Sequence, residues 1–234
     1  MIVAIIQARA NSKRIPRKML LDVNGRPLLA RTIERVRRAH LVDDVVVATS
    51  DKDQQIVELA KNEGVVWFAG SEDDVLDRVY QAALKVKADA VVRITGDCPL
   101  IDPEIIDLCV DRFKFYYPDI DYVSNLLPRT YPRGLDTEVV SVETLKSEWE
   151  TAQKWREHVT LNIREDYQNY RTSNINSVED RSYMRWCVDN AEDLKFVRSI
   201  YEYFSDRVFG WRDVVNFLEN NPALILKDTQ LDPN

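Results

Sequence analysis

The chain has 234 residues, 45% hydrophobic and 30% charged, which suits one globular domain with a sizeable core. Its 39 acids against 32 bases give a net charge of -7, a field that favours neither nucleic acid nor an anionic membrane surface. Cys98, Cys109 and Cys187 are widely spaced and form no C-x-x-C, so a reducing compartment fits better than a disulfide scaffold. The first apolar run is about a strand long and no later one is longer, so neither a signal peptide nor a membrane span is expected. The expectation is a cytoplasmic protein with no membrane and no nucleic-acid partner.

The first half alternates. "MIVAIIQA" is a continuous apolar run suited to a buried strand of a parallel sheet. Leu29, Ile33 and Val36 recur at helical spacing, with Arg31, Arg35 and Arg38 expected to turn outward. "DDVVVATS" is a second strand, and "DQQIVELAKNEG" a helix closed by Gly64. "VVWFAG" is a third strand. Val75, Val79, Ala82, Ala83 and Val86 mark the next helix, and "DAVVRITGD" the fourth strand. Asp102 at N-cap and Pro103 at N1 open another helix.

Strands alternating with helices of this length predict an α/β fold with a doubly wound, mostly parallel, Rossmann-like sheet. The second half breaks the rhythm. "DYVSN" and "DTEVVSV" are expected strands around the loop "LLPRTYPRGL". Helices follow around 143–166, then strands "YRTSN" and "YMRWCVD", then helices near 191–205 and 211–220. This half is expected to be a mixed-strand and helical C-terminal extension of the same domain. The expected division is a nucleotide-binding half (1–118), a half for the acceptor and a possible dimer contact (119–190), and C-terminal helices (191–234).

Residues 9–18 hold Arg9, Lys13, Arg14, Arg17 and Lys18 and no acid, directly after the first strand. In open α/β sheets ligands bind beyond the carboxyl ends of the strands. Five cations there are placed to hold a polyphosphate, although a solvated charged loop would look the same in sequence. Neither G-x-x-x-x-G-K-[ST] nor G-x-G-x-x-G is present. Asp97 follows the fourth strand at the same edge, as a ligand or as a turn cap. Asp189 ends the expected strand "YMRWCVD", as a second hard oxygen ligand or as the N-cap of the next helix. With only His40 and His158, a histidine-based metal cluster is excluded.

"IIQARANSKRIPRKML" resembles the signature loop of the sugar-activating nucleotidyltransferases, commonly A-R-x-x-S-x-R-[LI]-P-x-K. The match is closest to the SpsF branch (spore coat polysaccharide biosynthesis protein F), relatives of the 3-deoxy-manno-octulosonate and acylneuraminate cytidylyltransferases. "NGRPLLARTIER", "VVVATS", "GSEDDVLDRVYQAA", "VVRITGDCPLIDP", "YVSNLLPRTYPRGLDTEVVS", "REHVT" and "RWCVDNAEDL" extend it in order over about residues 1–200.

The resemblance implies a fold of nucleotide-diphospho-sugar transferase type and a homodimer. It implies that Ala8, Arg9, Ser12, Arg14, Lys18, Thr95 and Gly96 line CTP, with Ser71 and Arg78 near the nucleotide, Arg14, Lys18 and Asp97 catalytic, and Mg2+ on Asp97 with Asp189. Arg129, Tyr131, Asp136, Glu138, Arg156 and His158 would face the acceptor. For Asp77, Arg78 and Glu138 a solvated outward face is the equal rival. The sequence departs from the family at Asn11 and Arg17, where glycine usually eases a tight turn.

The activity expected is transfer of CMP from CTP to a small-molecule acceptor, a sugar acid or similar, with release of pyrophosphate, for surface polysaccharide or glycoconjugate biosynthesis. A glycosyltransferase of similar architecture is the first alternative, since Asp119-Ile120-Asp121 fits a D-x-D motif, although it precedes its strand. A catalytically silent nucleotide-binding protein is the second.

Overall fold

The computed structural model describes residues 1–9, 14–166, 168–205 and 207–228. In chain order the strands are β1 (Ile2–Gln7), β2 (Asp22–Val23), β3 (Arg26–Pro27), β4 (Asp44–Ser50), β5 (Val66–Gly70), β6 (Ala90–Thr95), β7 (Tyr122–Ser124), β8 (Glu138–Ser141) and β9 (Thr172–Asn174). The helices are α1 (Leu28–Val36), α2 (Gln54–Asn62), α3 (Val75–Lys85), α4 (Pro103–Tyr116), α5 (Val142–Thr151), α6 (Leu161–Glu165), α7 (Ala191–Phe204) and α8 (Trp211–Glu219).

Seven strands form one sheet in the order β5-β4-β1-β6-β8-β7-β9, and β2 pairs with β3 in a small hairpin. β5, β4, β1 and β6 run parallel, β8 lies antiparallel between β6 and β7, and β9 is parallel to β7. The mostly parallel sheet expected from the alternating elements is therefore present.

Side-chain alternation fills both faces, as a doubly covered sheet requires. Ala4, Ile6, Val92 and Ile94 enter a core beneath α1, α2, α4, α7 and α8. Val3, Ile5, Val46 and Val91 enter a second core beneath α3, α5 and α6. Asp102 caps α4 through the Glu104 amide (3.0 Å), with Pro103 behind it, and Gly64 ends the α2 turn in the left-handed region at φ +64°. Both follow the sequence expectation.

Two expectations are corrected. Arg35 does not face solvent: it is 2% exposed and donates to the Ile101 carbonyl (2.5 Å), the Phe209 carbonyl (3.2 Å) and Asp102 (3.3 Å). Arg31 and Arg38 are half-buried, Arg31 lying over the Tyr201 ring. "YMRWCVD" is not a strand of the sheet. Its backbone bonds go instead to separate segments: Arg185 N to the Leu226 carbonyl, Trp186 N to the Arg133 carbonyl and Val188 N to the Asp97 carbonyl. Among the described residues no helix is long and apolar enough to cross a membrane.

Candidate active site

Chain order reverses around β1, which has β4 on one side and β6 on the other, so the segments after β1 and β6 share the crevice beyond the strand ends. Gly96 lets them close. A Cβ there would stand 3.1 Å from the Gln7 carbonyl and 3.2 Å from the Ala8 Cβ, while the Gly96 amide donates to Gln7 O (2.9 Å). Ala8 is buried and pinned to Ala48 O (3.0 Å), and Arg9 leaves the sheet exposed. Ser12, Asn11 and Lys13 lie outside the described residues. Arg17 takes the left-handed conformation (φ +56°, ψ +30°) in which a glycine would be unstrained. Arg17 thus carries, as a non-glycine residue, the left-handed turn at which the resemblance had implied a glycine. A short 3-10 turn at Lys18–Leu20 follows and carries Lys18 inward.

Lys18 is the centre of the site. Its side chain is 9% exposed, and Nζ donates to Asp97 Oδ2 (2.7 Å), the Val188 carbonyl (2.9 Å) and Asp189 Oδ1 (3.0 Å). Burial alone would lower its pKa, but Asp97 and Asp189 outweigh burial and raise it above the ordinary lysine value. Asp189 responds in the opposite sense: burial pushes its carboxyl up, and Lys18, Arg185 and Arg14 together hold it below the ordinary value.

Asp189 is not the helix cap. Asn190 caps α7, and Asp193 closes a capping box that also accepts the Asp189 amide (2.7 Å). The Asp189 side chain is left to the crevice, held by Arg185 Nη2 (2.7 Å) and by Arg14 Nη2 (3.3 Å). Arg185 is itself fixed by Asp193 (3.0 and 3.2 Å) and lies 3.6 Å from Asp228. Among the described residues no group of three or more His, Cys, Asp or Glu is arranged to hold a metal ion.

Gly134 brings the next loop alongside. It sits at φ +109°, and a Cβ would stand 2.7 Å from Cys187 N and from Trp186 C. In that loop Arg129 forms a two-pronged pair with Asp136 (2.5 and 3.0 Å). Burial raises and Arg129 more than offsets, so Asp136 stays below the ordinary carboxyl value. Glu138 is 2% exposed, not an outward charge, and accepts from Arg93 (2.8 Å) and Thr160 Oγ1 (2.5 Å). Arg93 also donates to the Gln7 side chain (2.9 Å).

Beside β1, Arg78 is buried rather than solvated. Nη1 donates to the Ser71 carbonyl (2.5 Å), while Nε is buried without a hydrogen bond. Burial and the nearby Arg9 hold its pKa below the ordinary arginine value. Asp74 caps α3 through the Asp77 amide, and Ser71 Oγ accepts the Asp74 amide (3.0 Å). Asp77 holds the Trp149 indole (2.8 Å).

The remaining residues named from sequence are dispersed. Thr95 Oγ1 turns onto Cys98 Sγ (3.0 Å). Arg156 donates to Asp74 (2.8 Å) and to the Trp149 and Ala152 carbonyls (2.9 and 3.2 Å), beside α3. Tyr131 is buried against Trp211, ring centroids 5.3 Å apart, under the other face. His158 is half-exposed beside Glu157 and Trp155. Asp121 of the D-x-D sequence is tied to Arg171 at the start of β7, the sheet edge opposite the crevice.

Arg93, Arg185 and Gln7 were not singled out in the sequence. The signal was present for Arg93: a cation inside "VVRIT", an otherwise apolar central strand, demands a buried acid. Arg185 offered only its spacings of four residues to Asp189 and eight to Asp193, which mean little outside a helix.

The sequence profile of the cytidylyltransferase family matches residues 3–212. An uncharacterized protein of Methanocaldococcus jannaschii is 36% identical over 229 residues, spanning 95% of this chain and 92% of its own. The spore coat polysaccharide biosynthesis protein SpsF of Bacillus subtilis is 31% identical over 233 residues, 94% of this chain and 95% of its own. A solved cytidylyltransferase structure from Leptospira borgpetersenii superposes with a TM-score of 0.93 at 31% identity, covering 100% of this chain and 99% of that one. This chain therefore belongs to the cytidylyltransferase family and is a nucleotidyltransferase.

Proposed function

We propose that the protein transfers CMP from CTP to a hydroxyl of a sugar acid or similar small acceptor, releasing pyrophosphate, in surface polysaccharide or glycoconjugate biosynthesis. The observation that carries this is the convergence of Asp97 and Asp189 on one cation, the Lys18 ammonium, beside the basic segment after β1. Two carboxylates that share a cation also suit Mg2+, which takes hard oxygen ligands and completes its shell with phosphate and water. Asp97 and Asp189 are the residues that would hold it. Bound there, Mg2+ supplies charge stabilisation at the reacting phosphate.

The chain's own groups do the rest. Arg9, Arg14 and Lys18 neutralise the triphosphate, and Arg78, buried with an unpartnered Nε close to Arg9, adds a fixed positive charge. Such preorganised cations stabilise charge growing on the leaving pyrophosphate. The acceptor oxygen forms a bond to the α-phosphorus as the bond from that phosphorus to the bridging oxygen of pyrophosphate breaks, and the acceptor hydroxyl gives up its proton to water. The Arg129–Asp136 ion pair is the polar group against which the acceptor is oriented, and the buried Arg93–Glu138 pair ties β6 to β8 behind it.

The test is pyrophosphate release from CTP, against ATP, GTP and UTP, over a panel of keto-deoxy sugar acids, neutral sugars and phosphonates. Release with CTP and one acceptor class is expected. Asp97→Asn and Asp189→Asn should fold normally and lose metal-dependent turnover by about a hundredfold, the scale of one lost electrostatic stabiliser. Consumption of a nucleotide-sugar without pyrophosphate would instead identify a glycosyltransferase. Inactivity with every nucleotide and acceptor would leave a silent binding protein.

A further inference from the structure

We infer that Lys18 is a resident counter-cation that keeps divalent metal out of the Asp97–Asp189 pair until a nucleoside triphosphate draws the ammonium away. This rests on the reading of those carboxylates as the metal ligands, and it adds an order of events that the reading does not contain.

All three ammonium hydrogens of Lys18 are used, on Asp97, the Val188 carbonyl and Asp189, at 2.7, 2.9 and 3.0 Å. The side chain is 9% exposed, so the ammonium fills the space between the carboxylates and leaves little solvent there. A divalent ion arriving alone must expel a buried, fully hydrogen-bonded charge and leave that charge beside its own. Like charges in contact disfavour each other strongly in such a setting.

A triphosphate changes the balance. Its oxygens offer the ammonium new acceptors, and its negative charge favours both cations at once. Lys18 can then exchange carboxylates for phosphate while the ion takes its former place. The carboxylates need not move with it. Asp189 Oδ2 stays on Arg185 at 2.7 Å, and Arg185 is braced by Asp193 at 3.0 Å. Arg14, itself largely exposed, meets only Asp189 (3.3 Å) in an ion pair among the described residues, so it does not bridge the two acids as Lys18 does. Lys18 is in this sense a positioning residue for metal entry, separate from any contact it makes with phosphate later.

The experiment is Mn2+ titration followed by the electron paramagnetic resonance signal of free aqueous Mn2+, at pH 8, with and without the non-reacting α,β-methylene analogue of CTP, each read against the same mixture without protein so that Mn2+ held by the analogue alone is subtracted. Wild type should bind Mn2+ weakly alone and at least about tenfold more tightly with the analogue. Lys18→Met should bind Mn2+ without nucleotide at least about tenfold more tightly than wild type, the lower end of the effect of a metal-site neighbour. Asp97→Asn added to Lys18→Met should abolish that gain. Lys18→Gln, checked with Lys18→Met by circular dichroism, serves if the methionine variant does not fold.

Unchanged or weaker nucleotide-free Mn2+ affinity in the folded Lys18 variants overturns the inference. So does wild-type Mn2+ binding that is equally tight with and without the analogue. If Asp97→Asn and Asp189→Asn leave analogue-dependent Mn2+ binding intact, the carboxylate reading itself fails and the inference falls with it. If they abolish it while the Lys18 variants show no gain, only the inference fails.

Discussion

Asp136 is a carboxylate whose state is set chiefly by Arg129, with the Gly134 amide and Arg133 acting in the same direction. Arg129 grips both of its oxygens and, against the effect of burial, holds its pKa below 3.8. The folded state therefore binds this proton less readily than the unfolded chain does. The resulting stability is present above pH 3.8 and is lost as pH falls through the folded value. Arg129→Ala should cost about 1–3 kcal/mol at pH 7, the range for a hydrogen bond to a charged group and for a buried partner left unpaired. Urea unfolding from pH 7 down to pH 3 should show the gap between wild type and variant narrowing at the acid end. A gap of constant size would mean that Arg129 acts by packing alone. The same residue-scale logic explains Lys18. Its sequence position announces a phosphate ligand, while its three hydrogen bonds make it the counter-cation of an acid pair from distant segments.

At the scale of elements, the crevice depends on how α1, α4 and α8 are joined. Asp102 caps α4, accepts the Trp211 amide at the start of α8 (2.7 Å) and faces Arg35 of α1 (3.3 Å). All of this lies in the core, with Arg35 and Asp102 2% and 1% exposed. Removing one partner of a buried pair leaves an uncompensated charge, which costs about 3–5 kcal/mol. Asp102→Ala should therefore lower unfolding free energy by about that amount, read by chemical denaturation. Arg35→Met combined with Asp102→Ala should be less damaging than the two separate costs added, because the second change removes the charge that the first exposed. Strict additivity would show that the two residues stabilise the helices independently.

Over the whole molecule, the end of the described chain returns to brace the site. Arg185 N bonds the Leu226 carbonyl (2.9 Å), Asp228 N bonds the Tyr183 carbonyl (2.8 Å), and the Asp228 carboxylate meets Arg133 Nε at 2.5 Å and Arg185 at 3.6 Å. Asp228 thus steadies the arginine that orients Asp189. Outer partners of a metal-binding carboxylate are typically worth about ten- to a hundredfold in affinity or activity. Asp228→Ala should lower kcat by about tenfold while leaving the KM for CTP nearly unchanged, since no nucleotide contact is removed. A loss confined to KM would place Asp228 on the nucleotide side instead.

The amino-acid sequence by itself determined the parallel half of the sheet. Continuous apolar runs, helical spacing, Gly64 and Asp102-Pro103 are local signals whose physics acts within a few residues. It also determined that a basic segment leaves β1 at the edge where ligands bind, because that follows from strand direction alone. Tertiary structure decided the rest. Residues 183–189 have the composition of a strand, yet their backbone partners are scattered over Arg133, Arg181, Leu226, Asp228 and Asp97, so no sheet ladder forms. Arg35 carries the spacing of a solvated face but is buried, because Ile101, Asp102 and Phe209 supply acceptors from 66 to 174 residues away in sequence. Asp189 could be a ligand or, as a rival reading, a cap in sequence, until Asn190 and Asp193 took the cap and freed it. Pairing of charges across such distances has no local signature, since burial and partner are fixed only when the chain has folded.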